Sequence, residues 1–295
     1  MSSAFRITQH SINLTVGQNL QDNLQRLQKI QNALSSGKTV SKPSDSPTDA
    51  VAALRFRADI RRSTQLQRNA DDATGWLGTA DTTLTSGLDL INRARTLVQQ
   101  SVNGSMSQGD RDAIADEVDQ LRAQALSLAN TTYLGRPIFS GTANVTQAYD
   151  QAGVYQGNGA AIGRSVAPGV SVDVNLTGPQ AFGPAGTDLF TTLSTIANDL
   201  RTNPAGLSAD QASLDANFNT MNQAIASVGA RYNHVDTMKA SVSSRQIDSQ
   251  QGLSQVEDID IPATTIQLQM QTVAYQAALA ATAKVVQPSL VDFLK

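Results

Sequence analysis

Apolar residues recur along this chain at alternating steps of four and three, the spacing of a coiled coil or long-helix bundle. One run reads Leu66, Ala70, Ala73, Leu77, Ala80, Leu84, Gly87, Ile91, Ala94 and Val98. A second reads Ile114, Val118, Leu121, Ala125 and Leu128, and a third Leu189, Leu193, Ile196 and Leu200. The longest begins Leu214, Phe218, Met221, Ile225, Val228, Tyr232 and Val235. It continues through Lys239, Val242, Gln246, Ser249, Leu253 and Val256, weakening between 239 and 249. Helix punctuation agrees with these runs. Pro47 after Ser46 suits a helix start. Asn103-Gly104 and Gln108-Gly109 bracket a turn, and Asp110 and Asp112 favour the next N-terminus. Asn203-Pro204-Ala-Gly206 separates the third and fourth runs.

Between the helical parts the texture changes. Residues 136–186 hold nine of the twenty glycines and four of the nine prolines, with only Arg136, Asp150, Arg164 and Asp173 charged. Val170, Val172, Val174 and Leu176 alternate with Ser171, Asp173 and Asn175, the pattern of a half-buried strand. The expected fold is mainly α: N- and C-terminal helical halves packed together as a long-helix bundle, with a small β-rich insertion.

The two ends are the most informative segments. Near the N-terminus Leu20, Leu24, Leu27 and Leu34 make a seam, Gln31 fills the missing step, and Ser35-Ser36-Gly37 gives a helix stop. The C-terminal helix restarts after Asp258-Ile-Asp260-Ile-Pro262, acids and a proline where a start wants them. One stripe there is Ile259, Ala263, Ile266, Met270, Val273, Ala277, Ala280 and Lys284. A second is Leu268, Tyr275, Leu279 and Val286. Their members differ by two positions, about 200° around a helix. A helix apolar on opposite sides must be covered on both. The N-terminal segment can cover one. The expectation is that both ends are assembly segments, weakly ordered alone and fixed by neighbouring subunits. The alternative is an intramolecular bundle in which the ends pack on the central helices. The expected division is a terminal-helix assembly domain (1–41 and 257–295), a long-helix bundle (42–135 and 187–256) and the insertion (136–186).

Composition narrows the function classes. Charged residues make up 16% of the 295, against about 25% in an ordinary soluble domain. A net charge of −3 leaves no basic excess to replace phosphate counterions, which argues against nucleic acid. The absence of cysteine removes disulfides, thiolate zinc and cysteine catalysis. Residues 261–291 carry Lys284 as their sole charge, but Gln267, Gln269, Gln271 and Gln276 interrupt them, so no membrane insertion is expected. The N-terminus lacks the apolar core of a signal peptide. His10 and His234 lack a second ligand at helical spacing, so no metal, cofactor or catalytic site is expected. Gly157-Asn-Gly159-Ala-Ala-Ile-Gly163 has the wrong spacing for a phosphate loop and reads as a turn. Asp110, Asp112, Asp116 and Asp119, interleaved with Arg111 and Arg122, read as a solvated face. Trp76 is either a core anchor or an intersubunit anchor.

Two segments carry a family resemblance. Leu34-Ser-Ser-Gly-Lys-Thr-Val-Ser-Lys-Pro-Ser-Asp-Ser-Pro-Thr-Asp-Ala-Val51 resembles the flagellin signature of a Leu-Ser-Ser-Gly turn, a polar stretch and the first long helix. Val256-Glu-Asp-Ile-Asp-Ile-Pro-Ala-Thr-Thr-Ile-Gln-Leu268, Tyr275-Gln-Ala-Ala-Leu-Ala-Ala-Thr-Ala-Lys284 and Pro288-Ser-Leu-Val-Asp-Phe-Leu294 are similar to the flagellin C-terminal helix. Within that superfamily Gly135-Arg-Pro-Ile-Phe-Ser-Gly-Thr142 and Val154-Tyr-Gln-Gly-Asn-Gly159 resemble the hook–filament junction members. Asn158 departs from their pattern where an acid is common, and Pro262 sits early in the last helix. The resemblance implies a structural, non-enzymatic ring subunit of the bacterial flagellum. Its implied partners are flagellin, a hook-side hook-associated protein, further copies of itself and an export chaperone on the C-terminal helix. It also implies secretion through the flagellar type III channel to an extracellular position. The assembly interface is then expected at Leu20, Leu24, Leu27, Leu34, Ile259, Ile266, Leu268, Met270, Val273, Tyr275, Leu279 and Val286. A filament flagellin, or a secreted adhesin or hydrolase working through 136–186, are the competing readings.

Overall fold

A computed structural model describes residues 9–40, 42–102 and 106–286, with side chains from 14 to 283. The Asn103-Gly104 turn, the side chains of His10, Lys284 and Val286, and the Pro288–Leu294 stretch lie outside the described residues. Seven α-helices appear among those described: α1 (Gln9–Ser36), α2 (Pro47–Ser101), α3 (Gln108–Ala129), α4 (Gly178–Phe182), α5 (Leu189–Thr202), α6 (Leu207–Glu257) and α7 (Ile261–Val286). The strands are short: β1 (Thr132–Tyr133) with β2 (Arg136–Pro137), and β3 (Gly163–Ala167) with β4 (Val170–Asp173), both antiparallel. The mainly α long-helix architecture is the one the heptads announce. Two compact units form, residues 62–246 and residues 1–61 with 247–295.

In the 62–246 unit, α2 and α6 run antiparallel. Asp71 pairs with Lys239 at 2.6 Å, Gly87 faces Met221, and Arg95 pairs with Asp215. The Arg95 guanidinium also stands 4.5 Å from the Phe218 ring centre, a cation–π contact. The α2 seam explains the close approach. Ala70, Leu77, Leu84, Ile91 and Val98 are buried seven residues apart, flanked by the small Ala73, Ala80, Gly87, Ala94 and Ser101. A methyl group at Gly87 would lie 2.8 Å from the Met221 sulfur. On α6 Leu207, Leu214, Met221, Val228, Val235 and Val242 supply one large buried apolar residue per heptad, with Asp210, Asn217 and Ala224 buried at the intervening steps. Phe218 and Ile225 are half-buried and Tyr232 is exposed. The α6 stripe therefore runs through Asn217 and Ala224 where the apolar pattern places Phe218 and Ile225.

The connections are capped where the sequence places them. Pro47 opens α2. Ser107 caps α3 through a reciprocal box with Asp110, so the helix takes in Gln108 and Gly109. Arg201 on α5 binds Asp116 and Asp119 of α3 at 2.7 and 2.8 Å, so two of the four aspartates of the acidic face have a cationic partner. Trp76 is 3% exposed and meets the Tyr133 ring edge-on at 5.7 Å. It anchors the core.

Residues 136–186 share one continuous core with these helices. Phe139, Tyr149, Phe182 and Phe190 form an aromatic cluster, Tyr149 and Phe190 lying 4.7 Å apart. Arg164 reaches Asp72 at 2.6 Å, and Arg231 donates to the carbonyls of Asp173 and Asn175. The expected strand ends at Asp173. Beyond it the Asn175 side chain replaces the ladder, accepting from Ile162 N and donating to Ala160 O. In the Gly157–Gly163 stretch, where a turn is expected, the chain bends at Gly157 and Gly159 and enters β3 at Gly163.

One buried carboxyl works against this unit at neutral pH. Asp210, in the first turn of α6, is 7% exposed and its Oδ2 has no partner among the described residues. Burial, and then the neighbouring Asp199, push its pKa up to about 6. The folded value exceeds the unfolded one. Its stabilising contribution is therefore complete below the ordinary carboxyl range and is lost as pH rises through about 6. Thermal melts between pH 4.5 and 7.5 are expected to show Tm falling with rising pH by several degrees. Asp210→Asn is expected to flatten that profile and raise Tm at the upper end.

Candidate assembly surface

In the terminal unit, α1 packs along α7. The half-buried positions of α1 are Val16, Leu20, Asn23, Leu27, Ile30, Ala33 and Leu34. Apart from Ala33, they keep a four–three alternation. Three of the expected seam residues, Leu20, Leu27 and Leu34, take part. Leu24 lies outside the seam at 38% exposure, and Gln31 is exposed. Asn23 and Ile30 fill the intervening steps instead. The reason is a polar contact that apolar patterning cannot reveal: Gln271 Nε2 of α7 donates to Asn23 Oδ1 at 3.2 Å and lies 3.3 Å from its carbonyl. A polar pair inside a two-helix seam fixes register at some loss of apolar burial.

On α7 the side facing α1 carries Thr264, Leu268, Gln271, Thr272, Tyr275, Ala278 and Thr282, all half-buried. Leu268 and Tyr275 stand where the second stripe places them, whereas Leu279 is 42% exposed. The first stripe turns outward. Ile266, Met270 and Val273 are 57–64% exposed, and Ile261 shares that character. No charged residue occurs between Asp260 and Lys284 to solvate this face. The threonines do not solvate it either. Thr264, Thr265, Thr272 and Thr282 each donate their hydroxyl to the carbonyl four residues earlier, so the helix satisfies its own polar groups. None of the described side chains of α1 or α7 is fully buried. Each buried Leu or Ile contributes about 1.5–3 kcal/mol, and these helices withhold most of that.

The chain enters and leaves this pair through a buried acid. Glu257, one of two glutamates in the chain, is 3% exposed and bridges Lys38 and Arg57. Thr39 N donates to Glu257 O at 2.7 Å and Ile259 N to Gly37 O at 3.1 Å, a strand-like bridge that leaves Ile259 half-buried. Gly37 ends α1 with φ +71° and donates to Ala33 O, the stop expected at Ser35-Ser36-Gly37. Asp260 accepts from Ala263 N and caps α7. Patterning missed Glu257 as a joint, because its partners lie about two hundred residues away in sequence. Its only visible signal was the rarity of glutamate.

His234 is exposed on α6. Among the described residues no group of three or more potential ligands could hold a metal, and no helix is long and apolar enough to cross a membrane.

Two outcomes are expected. Glu257→Ala, which leaves two cations facing each other, should weaken the joint by about 2 kcal/mol, read as faster limited proteolysis between residues 37 and 46. Ile266→Asp should leave the Tm of the free chain within a degree or two, whereas Leu268→Asp, on the α1 side, should release both helices to protease.

Comparison with known proteins agrees with this geometry. Residues 7–144 match the family described as the bacterial flagellin N-terminal helical region. Flagellar hook-associated protein 3 of Escherichia coli (strain K12) is 28% identical over 271 residues, 83% of this chain and 86% of that protein. The flagellin of Bacillus subtilis (strain 168) is 26% identical over 95% of both chains. The crystal structure of Bacillus cereus FlgL shares the fold, with a TM-score of 0.59 and 22% identity over 69% of this chain and all of that one. Over residues 7–144 the chain thus matches the bacterial flagellin N-terminal helical region, and over most of its length it is similar to flagellar hook-associated protein 3.

Proposed function

We propose that this chain is a structural subunit of the bacterial flagellum, a ring component of the hook–filament junction that links a hook-side hook-associated protein to flagellin. The observation that carries the reading is the outward stripe of α7. Ile266, Met270 and Val273 stand exposed in the uncharged stretch 261–283, opposite the side that α1 covers. Such a helix gains its full burial only among other subunits. The resemblance to hook-associated protein 3 supports the same position.

The finer parts belong to this proposal. Leu20, Leu27, Leu34, Ile259, Leu268 and Tyr275 hold α1, α7 and their joint together. Ile266, Met270, Val273 and Leu279 meet neighbouring subunits, with Leu24 and Val286 joining them in the assembled ring. An export chaperone shields α7 before secretion through the flagellar channel, and the mature protein lies outside the cell. The terminal helices act as the assembly domain, the long helices as the bundle, and residues 136–186 as its outward-facing part. The role is mechanical, without catalysis.

A filament flagellin is the second reading, favoured by the similarity to the Bacillus subtilis flagellin. Electron microscopy of purified protein mixed with hook and filament ends separates the two. The junction reading expects short terminal caps and no long homopolymer. Long homopolymeric filaments would favour flagellin. Ile266→Asp and Leu279→Asp are expected to abolish the caps, because each buries an unpaired charge in the assembly, and moderate salt is expected to change little.

A further inference from the structure

The tip of the β1–β2 hairpin is built against local backbone preference. Its two central residues, Leu134 and Gly135, have φ +49° and +78°. A two-residue turn with both φ values positive favours Asn-Gly or Asp-Gly. Leucine is poorly suited to it, since its Cβ crowds the carbonyl in the left-handed region. Leu134 is the one non-glycine residue with positive φ among those described. It is also 81% exposed, the most open large apolar side chain described. At that exposure no packing among the described residues compensates for the strain, which points to something outside the folded subunit.

We infer that Leu134 is an intersubunit knob that docks into a recess on the next copy of this chain. The inference rests on the ring reading above and names one of its contacts. The recess, about 160 Å³, is lined by Tyr149, Val154, Tyr155, Pro179, Ala185 and Asp188. A cavity of about 150 Å³ accepts benzene, so one leucine side chain fits. Val154 at 56% exposure extends the apolar surface of the recess. Charge is complementary as well. Arg136 follows the knob, exposed and without an ion pair among the described residues. Asp150 begins the turn that carries Val154, and among the described residues its carboxylate accepts from Val154 N and the Gln156 amide and from no cation. A guanidinium and a carboxylate, neither in an ion pair among the described residues of its own subunit, meet when the knob seats. Knob and recess are different surfaces, so the contact is head-to-tail and propagates around a ring rather than closing a dimer.

The test uses the full chain in intact flagella sheared from cells. A benzophenone photocrosslinking residue at position 134 is expected to capture residues 149–156 of a second copy, read by mass spectrometry. In parallel, Leu134→Asn is expected to leave the Tm of the free chain unchanged or raise it, while cutting retention in sheared flagella at least several-fold. Capture of flagellin or a hook protein, or a tip-to-tip crosslink, would overturn the inference. So would a lower Tm with normal retention. If the unmodified chain were absent from flagella, the ring reading itself would fail. Its presence there with an unaffected Leu134→Asn would sink the knob alone.

Discussion

One constraint organises this molecule: α7 has two apolar sides and its own chain covers one of them. The side facing α1 holds Leu268 and Tyr275 half-buried, and the opposite side leaves Ile266, Met270 and Val273 in water. A stable domain would place charges on that second side. Here 23 consecutive residues, 261–283, carry none, and the threonines satisfy their hydroxyls within the helix. The terminal pair is thus poorly stabilised alone and well suited to sharing its surface. The proposed ring subunit needs that combination.

The two units divide the work. The 62–246 unit has a dense core in which large and small heptad positions alternate, Leu84 and Ile91 beside Gly87 and Ala94, so the Met221 side chain of α6 fits against Gly87 of α2. Its stability is internal. The terminal unit relies on a buried acid instead. Glu257 ties Lys38 and Arg57 together where α6 ends, and the bridge of Gly37 and Thr39 with Glu257 and Ile259 hands the chain on to α7. Helices with little burial of their own are held in register by a polar joint at one end and by the Asn23–Gln271 pair along the seam.

Periodicity made most of the fold legible, because helix seams are local. Ala70 to Val98 and Leu189 to Leu200 lie in the core as the four–three spacing requires. The two-sided character of α7 was legible for the same reason. What patterning missed depends on distant or polar partners. The α1 seam runs through Asn23 and Ile30 rather than Leu24 and Gln31, because Gln271 recruits Asn23 across the pair. Asp210 reads as an ordinary helix-start acid until its burial is seen. The strained Leu134 is invisible in sequence except as a leucine where Asn or Asp suits the turn.

Hydrogen exchange along residues 261–283 tests the central claim most directly, comparing the free chain with the chain in intact flagella. The account predicts weak protection in the free chain, far below that of α2 between 70 and 98, and a rise of orders of magnitude on assembly. Protection in the free chain already equal to that of α2 would show that one subunit shields α7 unaided, and would contradict the account.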